Sequence, residues 1–172
     1  NRLSKSDVDY HQLTIDSLKV MSDWYHFAIL NLANIDNVKA DGRWISSVLG
    51  ISHTEANLAL ERLQRLSLIE VTDGKLIRTE TRIRTTDGVA SSEIRNLHRS
   101  LLEKAISSLD EVDVSKRDIS SMVMAVNPDQ FEAGKSKIKK FRRDMSDTLE
   151  VGNSKEVYAL TISLIPLSEV GK

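Results

Sequence analysis

Cysteine is absent from all 172 residues of this sequence. Its absence excludes disulfides, thiolate zinc sites and cysteine nucleophiles, and nothing in the composition indicates an oxidising compartment. The sequence also lacks any run of about 18 or more apolar residues, which is the length needed to span a bilayer. No charged segment followed by a short apolar one opens the chain, as it would in a signal peptide. We therefore expect a cytoplasmic protein without a membrane partner.

Motifs for catalysis and for metal binding are absent as well. The sequence has no glycine-rich phosphate loop, no G-x-S-x-G elbow and no evident pair of catalytic carboxylates. None of the four histidines has a second histidine at a spacing suited to a metal. These absences predict a protein that is not an enzyme and has no cofactor and no metal site.

Charge is distributed unevenly along the chain, although its net value is only −1. Residues 135–143 contain six basic side chains and no acidic one. Such a run can hold phosphates or an acidic partner. Apolar residues interrupt the run at helical spacing, so we favour the interpretation that it is the solvated face of an amphipathic helix.

Hydrophobic periodicity in the first half predicts three helices followed by a β-hairpin. Apolar positions at three- and four-residue spacing indicate a first helix over residues 16–32, with two further helices after it. Ser52 can begin the third helix, because Glu55 follows it three residues later as in a capping box. Asp73-Gly74 is a strong hairpin turn between two short apolar segments. This order predicts a winged helix-turn-helix over residues 10–84.

The second half of the sequence has a different pattern. A long amphipathic helix is expected over residues 91–109. Two segments rich in β-forming residues, 119–126 and 157–164, flank a helix that begins at Asn127-Pro128. This βαβ order predicts a small α/β module for dimerisation or sensing within residues 91–168, and an α+β fold for the whole chain.

The expected two strands would leave unpaired edges unless the sheet has further partners. Homodimerisation through the sheet is one remedy, and pairing with the wing of the first half is the alternative. We therefore expect a homodimer.

Several motifs recur in the order that is typical of one bacterial family. They are SDWYH at 22–26 with Ala28-Ile29, IRNLHR at 94–99, RDIS at 117–120, and the closing Val157-Tyr158 with Pro166. The sequence resembles a family of uncharacterised proteins regarded as transcriptional regulators, whose C-terminal domain is a domain of unknown function. The resemblance implies transcriptional regulation and no known ligand. One departure is Leu97, where the family commonly has an aromatic residue.

A smaller helix-turn-helix of the Cro/repressor type often precedes this region in that family. The chain here begins at Asn1. We therefore expect that another domain precedes it in the native protein.

In the winged-helix interpretation the third helix enters the DNA major groove, and the wing contacts the backbone. The predicted DNA contacts are Thr54, Asn57, Arg62, Arg65, Lys75 and Arg78. Leu58 and Glu61 share the outward face and suit phosphates poorly. Between residues 51 and 66 two arginines balance two glutamates, so the helix lacks the excess positive charge of nonspecific DNA binding. The alternative is that Leu58 is buried against another domain or subunit.

Arg95, His98 and Arg99 lie within about one helical turn and can together bind an anion. His98 falls near the centre of an apolar face, which predicts a buried histidine. A hydrogen-bonded core histidine is a more usual outcome than a pH or ligand sensor. An anionic effector or an interface at these residues is a hypothesis for the structure to examine.

Two functional hypotheses follow from the sequence. The first is a transcriptional regulator that binds DNA through residues 10–84 and dimerises or senses a signal through residues 91–168. The second is an interaction or effector-binding module on a winged-helix scaffold, with DNA contacted only by a preceding domain. Leu58 favours the second, whereas Lys75 and Arg78 favour the first. An enzyme has only the cationic cluster of the long helix in its favour.

Overall fold

A computed structural model of the chain describes residues 5–79 and 90–168, and it begins with two helices in series. Helix α1 spans Lys5–Ser22 and helix α2 spans Trp24–Leu32. The single helix expected over residues 16–32 is therefore divided at Asp23. The backbone of Asp23 is extended, and its carbonyl accepts the His26 amide at 3.2 Å to start the second helix.

Two shorter helices follow, and both begin at capped residues. Helix α3 spans Gly42–Leu49, and the Asp41 carboxylate accepts a hydrogen bond from the Trp44 amide at 2.8 Å. Helix α4 spans His53–Arg65, and the reciprocal capping box of Ser52 and Glu55 is formed, as the sequence predicts. These side chains satisfy amides that the first turn of a helix leaves without a partner.

A β-hairpin closes this half of the chain. Strand β1 spans Ile69–Thr72 and pairs in antiparallel register with strand β2, Lys75–Arg78. Asp73 and Gly74 both have positive φ, at 51° and 71°, which is the conformation of the predicted two-residue turn. The hairpin expected from the sequence is confirmed.

Residues 38–40 run beside the hairpin. The Ala40 amide donates to the Gly74 carbonyl and the Leu76 amide donates to the Val38 carbonyl, each at 2.9 Å. Lys39 lies opposite Lys75 in an isolated antiparallel bridge. The hairpin is thereby attached to the segment that immediately precedes α3.

The structure divides into two compact units. The first unit is Asn1–Glu103 with Asn153–Val157, and the second unit is Lys104–Gly152 with Tyr158–Lys172. In the first unit, fifteen apolar side chains between residues 20 and 76 are buried. Helices α1 to α4 and the hairpin all contribute to this core. Ile29, Ile45, Leu63 and Ile69 are almost completely inaccessible. This packing fixes the orientation of α4 within the unit.

Helix α5 spans Ala90–Glu111, and helix α6 spans Phe131–Leu149 after a 3₁₀ turn at Pro128–Gln130. Both predicted helices are therefore present. A second 3₁₀ turn lies at Val114–Lys116. None of the helices in the described ranges is both long and apolar enough to cross a bilayer.

The βαβ module expected from the sequence is not confirmed. Its central helix forms, but residues 117–127 and 151–168 contain no strand in the structure. A β-forming sequence needs a neighbouring strand to satisfy its backbone, and the only strand pairing in the described part of the chain is that of β1 with β2. The fold is thus α+β and mostly helical, with one small two-stranded sheet.

Candidate nucleic-acid interface

Helix α4 presents a mixed face to solvent. Thr54, Leu58 and Glu61 are exposed, and Asn57 is half-buried beside them. Leu58 retains 40% of its accessible surface. The outward placement of Leu58 and Glu61 follows from the helical spacing, as the sequence predicts.

The amide of Asn57 packs at the junction of α3 and α4. A Cβ atom added at Gly42 would overlap the side-chain oxygen of Asn57, so a glycine at position 42 permits the close approach of the two helices. The Asn57 Nδ2 atom lies 3.2 Å from Nε2 of His53, one turn earlier. Asn57 therefore sits where the exposed start of α4 meets the start of α3.

Arg62 and Arg65 of α4 are directed toward a buried carboxylate. Asp16 of α1 is only 1% exposed, and Arg65 donates to its two oxygens from Nε at 2.7 Å and from a terminal nitrogen at 3.1 Å. Arg62 Nε lies 3.7 Å from Asp16 Oδ1, and the Arg62 side chain is only 18% exposed. The hydrogen bonds that Arg65 donates to Asp16 raise the pKa of Arg65 further above its ordinary value. These two predicted DNA contacts thus link α4 to α1 in this structure.

The two hairpin cations predicted to contact DNA lie on opposite faces of β2. Lys75 and Arg78 are both exposed, but they are three residues apart on a strand, where successive side chains alternate. The Lys75 Nζ atom donates to the side-chain oxygen of Asn37 at 2.8 Å. The structure therefore does not bring Lys75 and Arg78 to one surface of the hairpin.

The structure instead pairs Lys75 with Lys39, a residue that the sequence reasoning missed. Directly opposite residues of an antiparallel bridge share a face, so the two lysines project to the same side. Like charges in this position disfavour the pairing unless an anion or solvent compensates them. No local pattern in the sequence indicates this pair, because the two lysines are 36 positions apart with three elements between them.

The start of α3 adds a third cation to this region. The pKa of Asp41 lies below its ordinary value, mainly because of the hydrogen bond from the Trp44 amide and also because of the nearby charges of Arg43 and His53. Arg43 is exposed in the first turn of α3. The bond from Ala40 to the hairpin turn connects this turn of α3 to the lysine pair.

We name this region the junction surface: Lys39, Arg43, Lys75 and the exposed start of α4 with Thr54 and Asn57. It contains three exposed cations and also the capping carboxylate of Asp41. Two helices also begin here, but Asp41 caps the first and Ser52 with Glu55 caps the second, so the attraction for an anion comes from the three cations. The chemistry of the surface therefore suits phosphate groups.

Among the side chains that the structure describes, the buried histidine is His26. The expectation that His98 is buried is wrong. His26 is fully inaccessible, and burial lowers its pKa to about 4. Its Nδ1 lies 3.2 Å from the Asp23 carbonyl, while Nε2 has no hydrogen-bond partner among the described residues. His98 is exposed on α5, because the apolar face expected to cover it is itself accessible, with Ile94 39% exposed.

The other two members of the predicted anion cluster, Arg95 and Arg99, are also exposed on α5. Arg99 donates to the side-chain oxygen of Asn96 at 2.9 Å. The three residues share a helix surface, and an effector site there stays a prediction. Within the described ranges no group of three or more histidine, aspartate or glutamate side chains is placed to hold a metal ion.

A comparison with known families matches residues 4–167 to the model described as Domain of unknown function (DUF4423). The match covers both units. No curated protein and no solved structure matches the chain.

Proposed function

We propose that this chain, which belongs to the family of the domain of unknown function DUF4423, is the regulatory region of a transcriptional regulator. In this proposal residues 10–84 form a winged helix-turn-helix that binds DNA. The order of α2, the bridging segment 38–40, α3, the capped α4 and the hairpin supports this assignment. In such modules the second helix of the pair lies in the major groove.

The observation that carries the proposal is the hydrogen-bonded attachment of the hairpin turn to the segment before α3. It places Lys39 and Lys75 on one face, just before α3, whose first residue Gly42 lies against Asn57 of α4. Cations of this kind contact the phosphate backbone without regard to sequence. Thr54 and Asn57 are then the side chains available to read base edges.

Arg62 and Arg65 have a different role in this proposal. Their bonds to Asp16 hold α4 against α1, so they orient the helix rather than neutralise phosphates. Arg78 lies on the other face of the hairpin from Lys75 and contributes only to the general positive field. The direct contacts therefore fall on the junction surface.

Fluorescence anisotropy with a labelled mixed-sequence duplex tests this function. We expect binding that weakens strongly between about 50 and 200 mM salt, because neutralised phosphates release counterions. Lys75→Ala and Lys39→Ala should each weaken binding to every sequence and lower the salt slope by about one. Asn57→Ala should weaken binding preferentially at a selected site.

The matched control is Lys139→Ala on α6, which removes an exposed lysine outside the junction surface. It should leave the affinity unchanged. Salt-insensitive binding, or equal losses in Lys75→Ala and in the control, would overturn the assignment of the junction surface.

A second candidate is an interaction module that uses the same scaffold, with DNA contacted by a preceding domain. The specific observation in its favour is that both arginines of α4 are engaged with Asp16, while Leu58 is 40% exposed at the centre of the outward face. In that case Leu58→Asp should abolish binding to a partner protein or effector and leave DNA affinity of the longer protein unchanged. The first candidate predicts that this chain binds DNA by itself.

A further inference from the structure

The second unit has no buried side chain in its described part. Every residue of 104–152 and of 158–168 is at least partly accessible. Eighteen large apolar side chains are exposed there, among them Val123 at 81% and Val151 at 80%. A folded unit must offset the loss of conformational entropy by burying apolar surface, and this one has not done so within a single chain.

Two of its segments combine strand-forming composition with a complete lack of charge. Residues 119–126 and 158–165, both within the second unit, contain no Asp, Glu, Lys or Arg. Both are rich in β-branched and other large apolar residues, yet neither belongs to a strand in the structure. Uncharged segments of this composition pair readily with other strands, since no charge blocks their edges.

We infer that a second copy of this chain covers these segments: 119–126 and 158–165 pair with the same segments of the partner, and the second unit acquires its core only in the homodimer. The absence of charge in both segments favours a second copy of the chain as the partner. A nucleic acid or an acidic membrane surface would be met by cations. Self-pairing about a two-fold axis needs no complementary charge, and here it brings no like charges together.

The apolar area supports the same occupant. Complete burial of a leucine-sized side chain removes about 60–120 Å² from water at ~25 cal/mol per Å², so eighteen half-exposed side chains offer roughly 500–1,100 Å² per chain. Two chains together would bury roughly 1,000–2,200 Å², which covers the range for specific, stable protein interfaces and reaches the lower end of that for permanent homodimers.

Sedimentation velocity across a wide concentration range, with the whole chain, tests this inference. We expect a dimer whose Kd rises at least about tenfold, or ~1.4 kcal/mol, with Val123→Lys and with Ile162→Lys, because each places a charge in the new core. The control is Val48→Lys on α3, where a valine is 50% exposed in the first unit. It should remain as dimeric as the unsubstituted chain.

The fluorescence of the only two tryptophans, Trp24 and Trp44, reports on folding of the first unit in every variant. A second measurement uses the absence of cysteine. Val123→Cys should give an intermolecular disulfide under mild oxidation, whereas Val48→Cys should not.

A chain that sediments as a monomer at all concentrations overturns the inference, as does a dimer that survives either lysine substitution. Cross-linking at position 48 but not at position 123 contradicts it equally. The test does not depend on DNA binding: a dimer that binds no DNA would reject the proposed function and keep this inference.

Discussion

Residues 20–76 bury fifteen apolar side chains, whereas the described residues of the second unit bury none and expose eighteen large ones. The strength of the sequence pattern does not separate the two regions, since α6 of the second unit is as amphipathic as α4 of the first. They differ in whether the partners of each apolar face lie within the same chain. The comparison shows that an amphipathic pattern specifies a face to be covered and leaves open which molecule covers it.

Truncation of one apolar side chain in each unit should give the largest difference in the free energy of unfolding. Leu63→Ala removes a side chain with no exposed surface and should lower the free energy of unfolding by about 2–5 kcal/mol. Leu149→Ala, the matched control on α6, removes a side chain that is 67% exposed and should cost little in the monomer. Chemical denaturation followed by far-UV circular dichroism, which reports on the helices of both units, measures both costs. Equal costs for the two variants would remove the distinction between the units.

A pH titration of stability should give the next largest effect. The pKa of His26 is about 4 when folded, because burial disfavours its charged form, and about 6.5 when unfolded. The unfolded state therefore binds the extra proton, and the free energy of unfolding should fall as the pH drops from about 6.5 to 4, by up to roughly 3 kcal/mol. Above pH 6.5 this contribution is fully present.

His26→Gln should flatten that part of the profile, and its control is His98→Gln at an exposed position, which should not. Urea unfolding at a series of pH values measures both. An unchanged slope in His26→Gln would show that other groups determine the acid sensitivity of the first unit.

The smallest of these effects concerns the close contact of two helices in the first unit. Gly42→Ala should lower the free energy of unfolding by no more than about 1 kcal/mol, because the added Cβ overlaps only the end of the Asn57 side chain, which can move, and alanine favours the helix. Asn57→Ala in the same chain should recover much of this loss, since it removes the atom that is overlapped. A double-mutant cycle measures the coupling. Additive effects would show that the helices separate without strain.

Local signals in the sequence were sufficient for most elements of the fold. Ser52 with Glu55 located the start of α4, and Asp73-Gly74 located the hairpin turn, because each motif acts over two to four residues. The contacts that organise the candidate site are nonlocal: Asp16 and Arg65 are 49 residues apart, and the Lys39–Lys75 bridge depends on the hairpin docking beside residues 38–40. Sequence periodicity carries no information about such pairs.

The errors in the second half have one physical origin. The strands at 119–126 and 157–164 and the buried position of His98 were inferred from composition and from an apolar stripe. The buried position of His98 assumed that the apolar stripe of α5 is covered within the chain, whereas the strands were expected to need a second copy or the wing as a partner. In the structure of a single copy that cover is absent from the described residues, so His98 is accessible and the two segments form no strand.

The carboxylate of Asp16, which is almost inaccessible to water, links α1 to α4. This link couples the positions of the two helices. One acidic group on α1 holds both arginines of α4, so α1 cannot rotate away without freeing two positive charges on the helix proposed to face DNA. The position of α1 thus determines whether the Asp16 carboxylate offsets the two arginines of α4. A force or a ligand that displaces α1 would leave both arginines without this counter-charge.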